Sequence, residues 1–299
     1  MSPWGSAEGL IHEGWKADPW GSAERRVPGG WLRDWSLGVS RGWILAVGRE
    51  QIPGAPSGCG RHDGSVTDSF VLVHAPVLGP RSWSAVASEL GRQGHHVTVP
   101  SLTGFADAGP PYAERLIDRV RAQLIPAAPG RVALAVHSGA GVLAPYLAEA
   151  AGAHVVIFAD ASLPPAPRET SGEPAAQVID AEYLPFLQGL ARDGVVPPWP
   201  QWWPAEELAP LYPDDATRAS VDAEAAALPL AFYTEHLPPI PASWATRRAA
   251  YLQFSEGYDA TAEQARALGW PVRTLPGEHL HMLVAPAAVA AALSELARG

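Results

Sequence analysis

LAVHSGAGVLAP, from Leu134 to Pro145, decides how this chain folds. An apolar run stops at a His-Ser pair and restarts as an alanine-rich stretch of helical character. A strand that turns sharply into a helix presents the residue at its bend, and here that residue is Ser138. Two readings are open: a nucleophile held at a tight turn, or a small side chain filling a tight corner. The turn needs small residues on either side of the serine. Val136 and Ala140 stand there, with Gly139 and Gly141 adding room. Pro145 has no N–H for the Gly141 carbonyl, which predicts a kink or a helix that becomes regular only later.

Working outward, strand and helix signals alternate from Ser69 onward. Ser69–Ala75, His95–Pro100, Arg131–His137, Ala153–Asp160, Tyr251–Ser255 and Pro271–Leu275 read as six strands, mostly apolar. Ser82–Gln93, Ala113–Leu124, Gly139–Ala151, Ala260–Leu268 and Pro286–Arg298 read as helices. The last has proline at its start and glycine just past its end. Apolar strands alternating with helices predict an α/β fold: a mostly parallel six-stranded sheet with helices on both faces. Its strand C-termini share one edge, where sites form.

Two regions break the pattern. Residues 163–248 contain VPPWPQWWPAEEL and FYTEHLPPIPASW. So long a connection is not a plain loop, and it predicts a helical cap inserted into a core of residues 67–162 and 249–299. Residues 1–66 are rich in Gly, Trp and Arg, with little periodicity. PWGSAE starts at Pro3 and again at Pro19, too few copies for a repeat fold. We expect a poorly ordered extension; the alternative is a Trp-rich piece that covers the core.

Composition narrows the function. The 299 residues carry a net charge of −10, which disfavours nucleic acid and anionic membrane as partners. Cys59 is the sole cysteine, so no internal disulfide or multi-cysteine metal site exists. Gly42–Gly48 is too short to span a bilayer, and no secretory pattern is evident; a cytoplasmic location is expected. Neither a phosphate-binding glycine loop nor convincing metal-ligand spacing appears, and no cofactor is expected.

A serine hydroxyl needs a base within hydrogen-bond reach. The expected chain order is serine, acid, histidine. His279 follows the last strand in LPGEHLHML, ahead of its rival His281. Asp259 is the preferred acid, with Asp160 and Glu256 as alternatives; an N-cap role is open to Asp259 as well. Gly139 follows the serine and would donate its N–H to a developing oxyanion. His74 reads as a loop brace and His137 as a packing neighbour of the serine. Pro76, His137, Trp199, Trp203, Phe232 and Tyr233 are candidates to line a substrate pocket.

VLVHAPVLGPRSW (Val71–Trp83), HHVTVPSLTG (His95–Gly104), VHSGAGVLAP (Val136–Pro145) and LPGEHLHMLVAP (Leu275–Pro286) together resemble the α/β-hydrolase family, in its short, capped form. The resemblance covers residues 69–299. It implies a serine hydrolase acting on an ester, lactone or thioester of a small apolar compound, with Ser138 as nucleophile, His279 as base and Asp259 at the acid position. Two departures stand out. Val136 replaces the usual elbow glycine. His74-Ala75 is followed by Pro76, which has no N–H to give, so Val77 would be the second oxyanion donor. The rival readings are lyase or cyclase chemistry at the same site, and a ligand-binding protein with weak catalysis.

Overall fold

The computed structural model describes residues 69–124, 130–165, 177–179 and 183–299. The expected extension at 1–66 lies outside the described residues. The chain runs β1 (Ser69–Val73), α1 (Arg81–Arg92), β2 (His96–Thr98), α2 (Tyr112–Gln123), β3 (Val132–Ser138), α3 (Ala144–Ala151) and β4 (Val155–Ala161). An insertion follows with α4 (Leu184–Leu190), β5 (Val195–Val196), α5 (Ala205–Leu208), α6 (Asp215–Asp222), β6 (Leu228–Pro229) and α7 (Leu230–Tyr233). The core resumes with β7 (Arg248–Gln253), α8 (Asp259–Ala267), β8 (Val272–Thr274), α9 (His281–Val284) and α10 (Pro286–Arg298).

Six strands form one sheet in the order β2-β1-β3-β4-β7-β8, every pair parallel. Alternate side chains of β3 divide between its faces. Leu134 and Val136 enter one core with α2 and α3; Ala133 and Ala135 enter the other with α1 and α10. Small alanines on that second face leave room for bulkier partners such as Trp83 and Leu293. All seven β4 residues are buried, as a strand covered on both faces requires.

Two details differ from the sequence-based reading. β7 begins at Arg248 rather than Tyr251, because Ala249 and Ala250 pair with Val156 and Ile157. Alanine carries no strand preference of its own, so the pairing decides. After Ser138 the chain makes a 3-10 turn over Gly139–Leu143, and α3 then starts at Ala144. Pro145 thus falls in the first turn, where its missing N–H is not needed.

Between β4 and β7 the described residues form short helices and the antiparallel β5–β6 pair. Two carboxylates tie this insertion to the core. Glu235 accepts the Tyr112 and Ala113 amides, each at 2.7 Å, at the start of α2. Glu224 accepts the Arg81 amide at 2.8 Å and pairs with its guanidinium at 3.1 Å, at the start of α1. Helix N-termini leave amides unpaired and attract negative charge, so both contacts answer an open need. They also hold the insertion beside the edge where β1 and β2 end.

Candidate active site

Ser138 ends β3 with φ 55° and ψ −132°. A side chain rarely adopts a positive φ, which costs of order 1–3 kcal/mol. The turn is fixed from both sides. The Ser138 carbonyl accepts the Ser162 amide at 3.1 Å. A Cβ on Gly141 would stand 1.9 Å from the Ser162 carbonyl oxygen, so only glycine fits there. By contrast, a Cβ on Gly139 would meet only Pro76 Cδ, at 3.9 Å. Gly139 is therefore not sterically obligatory, but the contact shows the Pro76 loop beside the serine.

His279 arrives on the loop after β8. The loop is pinned to β7: Leu275 donates its amide to the Gln253 carbonyl at 2.9 Å, and Gly277 to the Phe254 carbonyl at 3.0 Å. The His279 Nε2 lies 3.1 Å from Ser138 Oγ. Its Nδ1 lies 2.9 Å from Asp160 Oδ2. Asp160 is fully buried at the end of β4, with φ 44°. Its Oδ1 accepts the backbone amides of Phe254 at 2.8 Å and Ser255 at 3.1 Å. Its Oδ2 also accepts the Ser255 hydroxyl at 2.6 Å. All four contacts are donors to a carboxylate. The His279 proton therefore sits on Nδ1, leaving Nε2 free to accept the Ser138 O–H.

Asp160, rather than the expected Asp259, is the carboxylate against His279. Asp259 is exposed in the first turn of α8, where its carboxylate accepts from the Gln253 amide group. Glu256 is exposed on the preceding turn. The end of β7 gives its amides to Asp160 and then turns away, which carries Asp259 into the helix. His281, the rival base, begins α9; its ring packs against Phe254 at 5.7 Å and over Gly277.

Two further histidines lie beneath. His74 donates from Nδ1 to the Ala75 carbonyl at 2.8 Å and accepts the Leu102 amide on Nε2 at 3.2 Å. Both bonds suit the neutral ring, and burial lowers its pKa to about 4. His137 donates from Nε2 to the His279 carbonyl at 3.0 Å, and the two rings lie 4.6 Å apart. Burial, and then the neighbouring His279, push His137 well below its ordinary pKa. His137 is thus a neutral support under the His279 loop rather than part of a pocket wall.

The other candidates are sorted by burial. Phe232 is fully buried between Phe105 and Tyr112, a packing position. Tyr233 packs beside it with little exposure. Trp203 is partly buried and stacks on Phe186 at 5.4 Å, while Trp199 packs against the α1–α10 core. Leu78 donates its amide to the Ala75 carbonyl at 3.0 Å, closing a turn around Pro76 and Val77. Among the described residues the amides of Val77 and Gly139 have no protein acceptor. No group of three or more His, Cys, Asp or Glu among the described residues could hold a metal ion. No helix among them is long and apolar enough to cross a membrane.

Two contributors were not picked out from sequence. Ser255 and Tyr258 follow β7 in FSEGYD, and their spacing suggests no chemistry. Tyr258 stacks flat on His279, with centroids 5.2 Å apart and planes 7° apart.

The fold agrees with the family comparison. The α/β-hydrolase family profile matches residues 70–292, and the chain belongs to that family. Comparison with curated protein sequences gives no match. Solved structures supply similar folds. One is an extracellular α/β-hydrolase from a Paenibacillus species, described as sharing structural and functional homology with tobacco salicylic acid binding protein 2. It is 18% identical with a TM-score of 0.57, covering 77% of this chain and 99% of that one. Polyneuridine aldehyde esterase is 17% identical at a TM-score of 0.55, covering 77% and 99%. A pyrethroid hydrolase from Sphingobium faniae is 18% identical at 0.54, covering 79% and 98%. At these identities the likeness is one of fold.

Proposed function

We propose that this protein is a serine hydrolase that cleaves a carboxylic ester, lactone or thioester of a small apolar compound. One observation carries the reading: the unbroken chain from Asp160 Oδ2 through His279 to Ser138 Oγ, with links of 2.9 and 3.1 Å. In this reading Ser138 attacks the acyl carbon as His279 Nε2 takes its proton. Asp160 holds the ring's tautomer and stabilises the imidazolium. The oxyanion is received by the amides of Gly139 and Val77, which have no protein acceptor among the described residues. The imidazolium returns its proton to the leaving group. Water then releases the acid from Ser138 by the same base. The net charge of −10 supports a small-molecule substrate over nucleic acid or an anionic membrane, and a single cysteine supports a cytoplasmic setting.

Turnover of p-nitrophenyl acyl esters by the wild type and by Ser138→Ala tests the proposal, together with fluorophosphonate labelling read by mass spectrometry. The expected result is label on the Ser138 peptide and a loss of about 10⁴-fold or more in kcat in the variant. Equal, near-zero rates with no label would overturn it in favour of a binding protein. A second reading has one observation in its favour: Pro76 removes an amide donor that ester cleavage uses. Lyase or cyclase chemistry at this site would leave Ser138 labelled but the esters untouched.

A further inference from the structure

Asp160 stands outside the regular ladder of its own strand. Across β3 and β4, His137 pairs with Ala159 and Ser138 with Ala161, so Asp160 is an extra residue on β4. Its φ of 44° is a strained value for a side-chain-bearing residue. Bulges of this kind re-aim side chains, and here the carboxylate meets His279 Nδ1 at 2.9 Å. A bulge is a local irregularity, so its shape depends on what holds the residues beside it.

Main-chain pairing of β4 with β7 stops at Ala159 and Leu252. Beyond it, Ala161 is fully buried, and its N–H and C=O both need partners. One side chain supplies them. The Tyr251 hydroxyl accepts the Ala161 amide at 3.1 Å and donates to the Ala161 carbonyl at 2.9 Å. Tyr251 lies on β7 and is itself fully buried. Burial, and then the charge of Asp160, keep the phenol protonated, so it retains the proton it donates. On the other side, the Ser162 amide bonds the Ser138 carbonyl at 3.1 Å. The two residues after Asp160 are thus tied to opposite neighbours, Ser162 through main chain and Ala161 through a phenol. Phenylalanine at 251 would leave a buried donor and a buried acceptor unpaired. The strained residue next to them is where the chain can shift to relieve that.

We propose that Tyr251 is a positioning residue: its hydroxyl pins both backbone groups of Ala161 and so holds the Asp160 bulge that sets the carboxylate against His279. The kinetic part of the inference rests on the ester-cleavage reading above. Tyr251 moves no proton in that reaction and acts through Asp160 alone. Its removal therefore matters only while a carboxylate is there to be misplaced.

The test is a double-mutant cycle of Tyr251→Phe and Asp160→Asn on one p-nitrophenyl ester. Rates are expressed per Ser138 labelled to completion by a fluorophosphonate, so that misfolded protein does not count. Tyr251→Phe alone should lower kcat by roughly ten- to a hundredfold with KM within about twofold, since a misplacement of about 1 Å can cost about 10²-fold. In the Asp160→Asn background the same substitution should change kcat by less than about twofold, because the two residues act as one unit. A hydroxyl that only supports the fold would give the same factor in both backgrounds, or no change per labelled site, and either result would overturn the inference. So would a Tyr251→Phe chain that does not fold by circular dichroism, since the hydroxyl would then be holding the sheet rather than the carboxylate. Crystal structures of the wild type and Tyr251→Phe supply a readout that needs no turnover. The Asp160–His279 hydrogen bond should be present in the first and broken in the second. A bond kept in the variant would sink the inference, whereas a wild type that neither labels nor cleaves would sink the ester-cleavage reading.

Discussion

Strands β4 and β7 lie side by side, and each ends near a carboxylate. At the end of β4, Asp160 turns inward with φ 44° and takes four donors, from Phe254, Ser255 twice and His279. Past the end of β7, Asp259 sits exposed on the first turn of α8. Two of Asp160's donors are backbone amides of the very segment that carries Asp259 away. The lesson is that the role of a carboxylate follows from who donates to it. A buried carboxylate is tolerated only when its oxygens are satisfied, and that condition is met at one strand end and not the other.

The sharpest way to break this contrast is Asp160→Asn. An asparagine can satisfy the same pocket while favouring the wrong tautomer of His279. We expect kcat on p-nitrophenyl esters to fall by about 10³–10⁴-fold. A smaller fall, with a large one for Asp259→Asn, would reverse the assignment.

A second test asks whether burial governs the other strand-end residues as well. His74 follows β1, fully buried, with its pKa lowered from 6.5 to about 4. In that window the unfolded chain binds a proton that the folded protein refuses. The stability tied to a neutral His74 is therefore complete above about pH 6.5 and drains away as pH falls towards 4. The ceiling for this one group is about 3 kcal/mol. Urea midpoints at pH 7 and pH 4.5 should diverge less for His74→Gln than for the wild type. Equal divergence would show that His74 is not the group responsible.

Ser255→Ala sharpens the contrast further by removing one of Asp160's four donors. A hydrogen bond to a charged group is worth about 1.5–3 kcal/mol, so kcat/KM should drop by about tenfold with little change in KM. The smallest effect belongs to Asp259→Asn, which we expect to leave the same assay within about twofold.

The bend at Ser138 and the position of His279 after the last strand were legible because their signals are local. A strand that stops at a Ser-Gly turn, and a histidine just after the last strand, are patterns of neighbouring residues. Which carboxylate meets His279 was not, since Asp160 and Asp259 both come at strand ends in plausible order. What separates them is a positive φ at Asp160 and the direction of two amides at 254 and 255, and these appear only when the strands pair. Tyr258 gave no signal because its stacking partner, His279, lies beyond β8. The early start of β7 was hidden for the same reason: Ala249 and Ala250 become strand residues only against Val156 and Ile157. In the insertion, prolines interrupt the periodicity, so its place in the chain was clear while its short helices were not.

Gly141 and Ser162 carry one last consequence. The missing side chain lets the Ser138 turn nest against main chain just beyond Asp160, and a backbone bond from Ser162 to Ser138 locks the two together. The spacing of serine and aspartate is thus written into scaffold atoms rather than into side chains of the insertion. Exchanging the insertion's side chains for others should therefore leave the spacing of Ser138, His279 and Asp160 untouched.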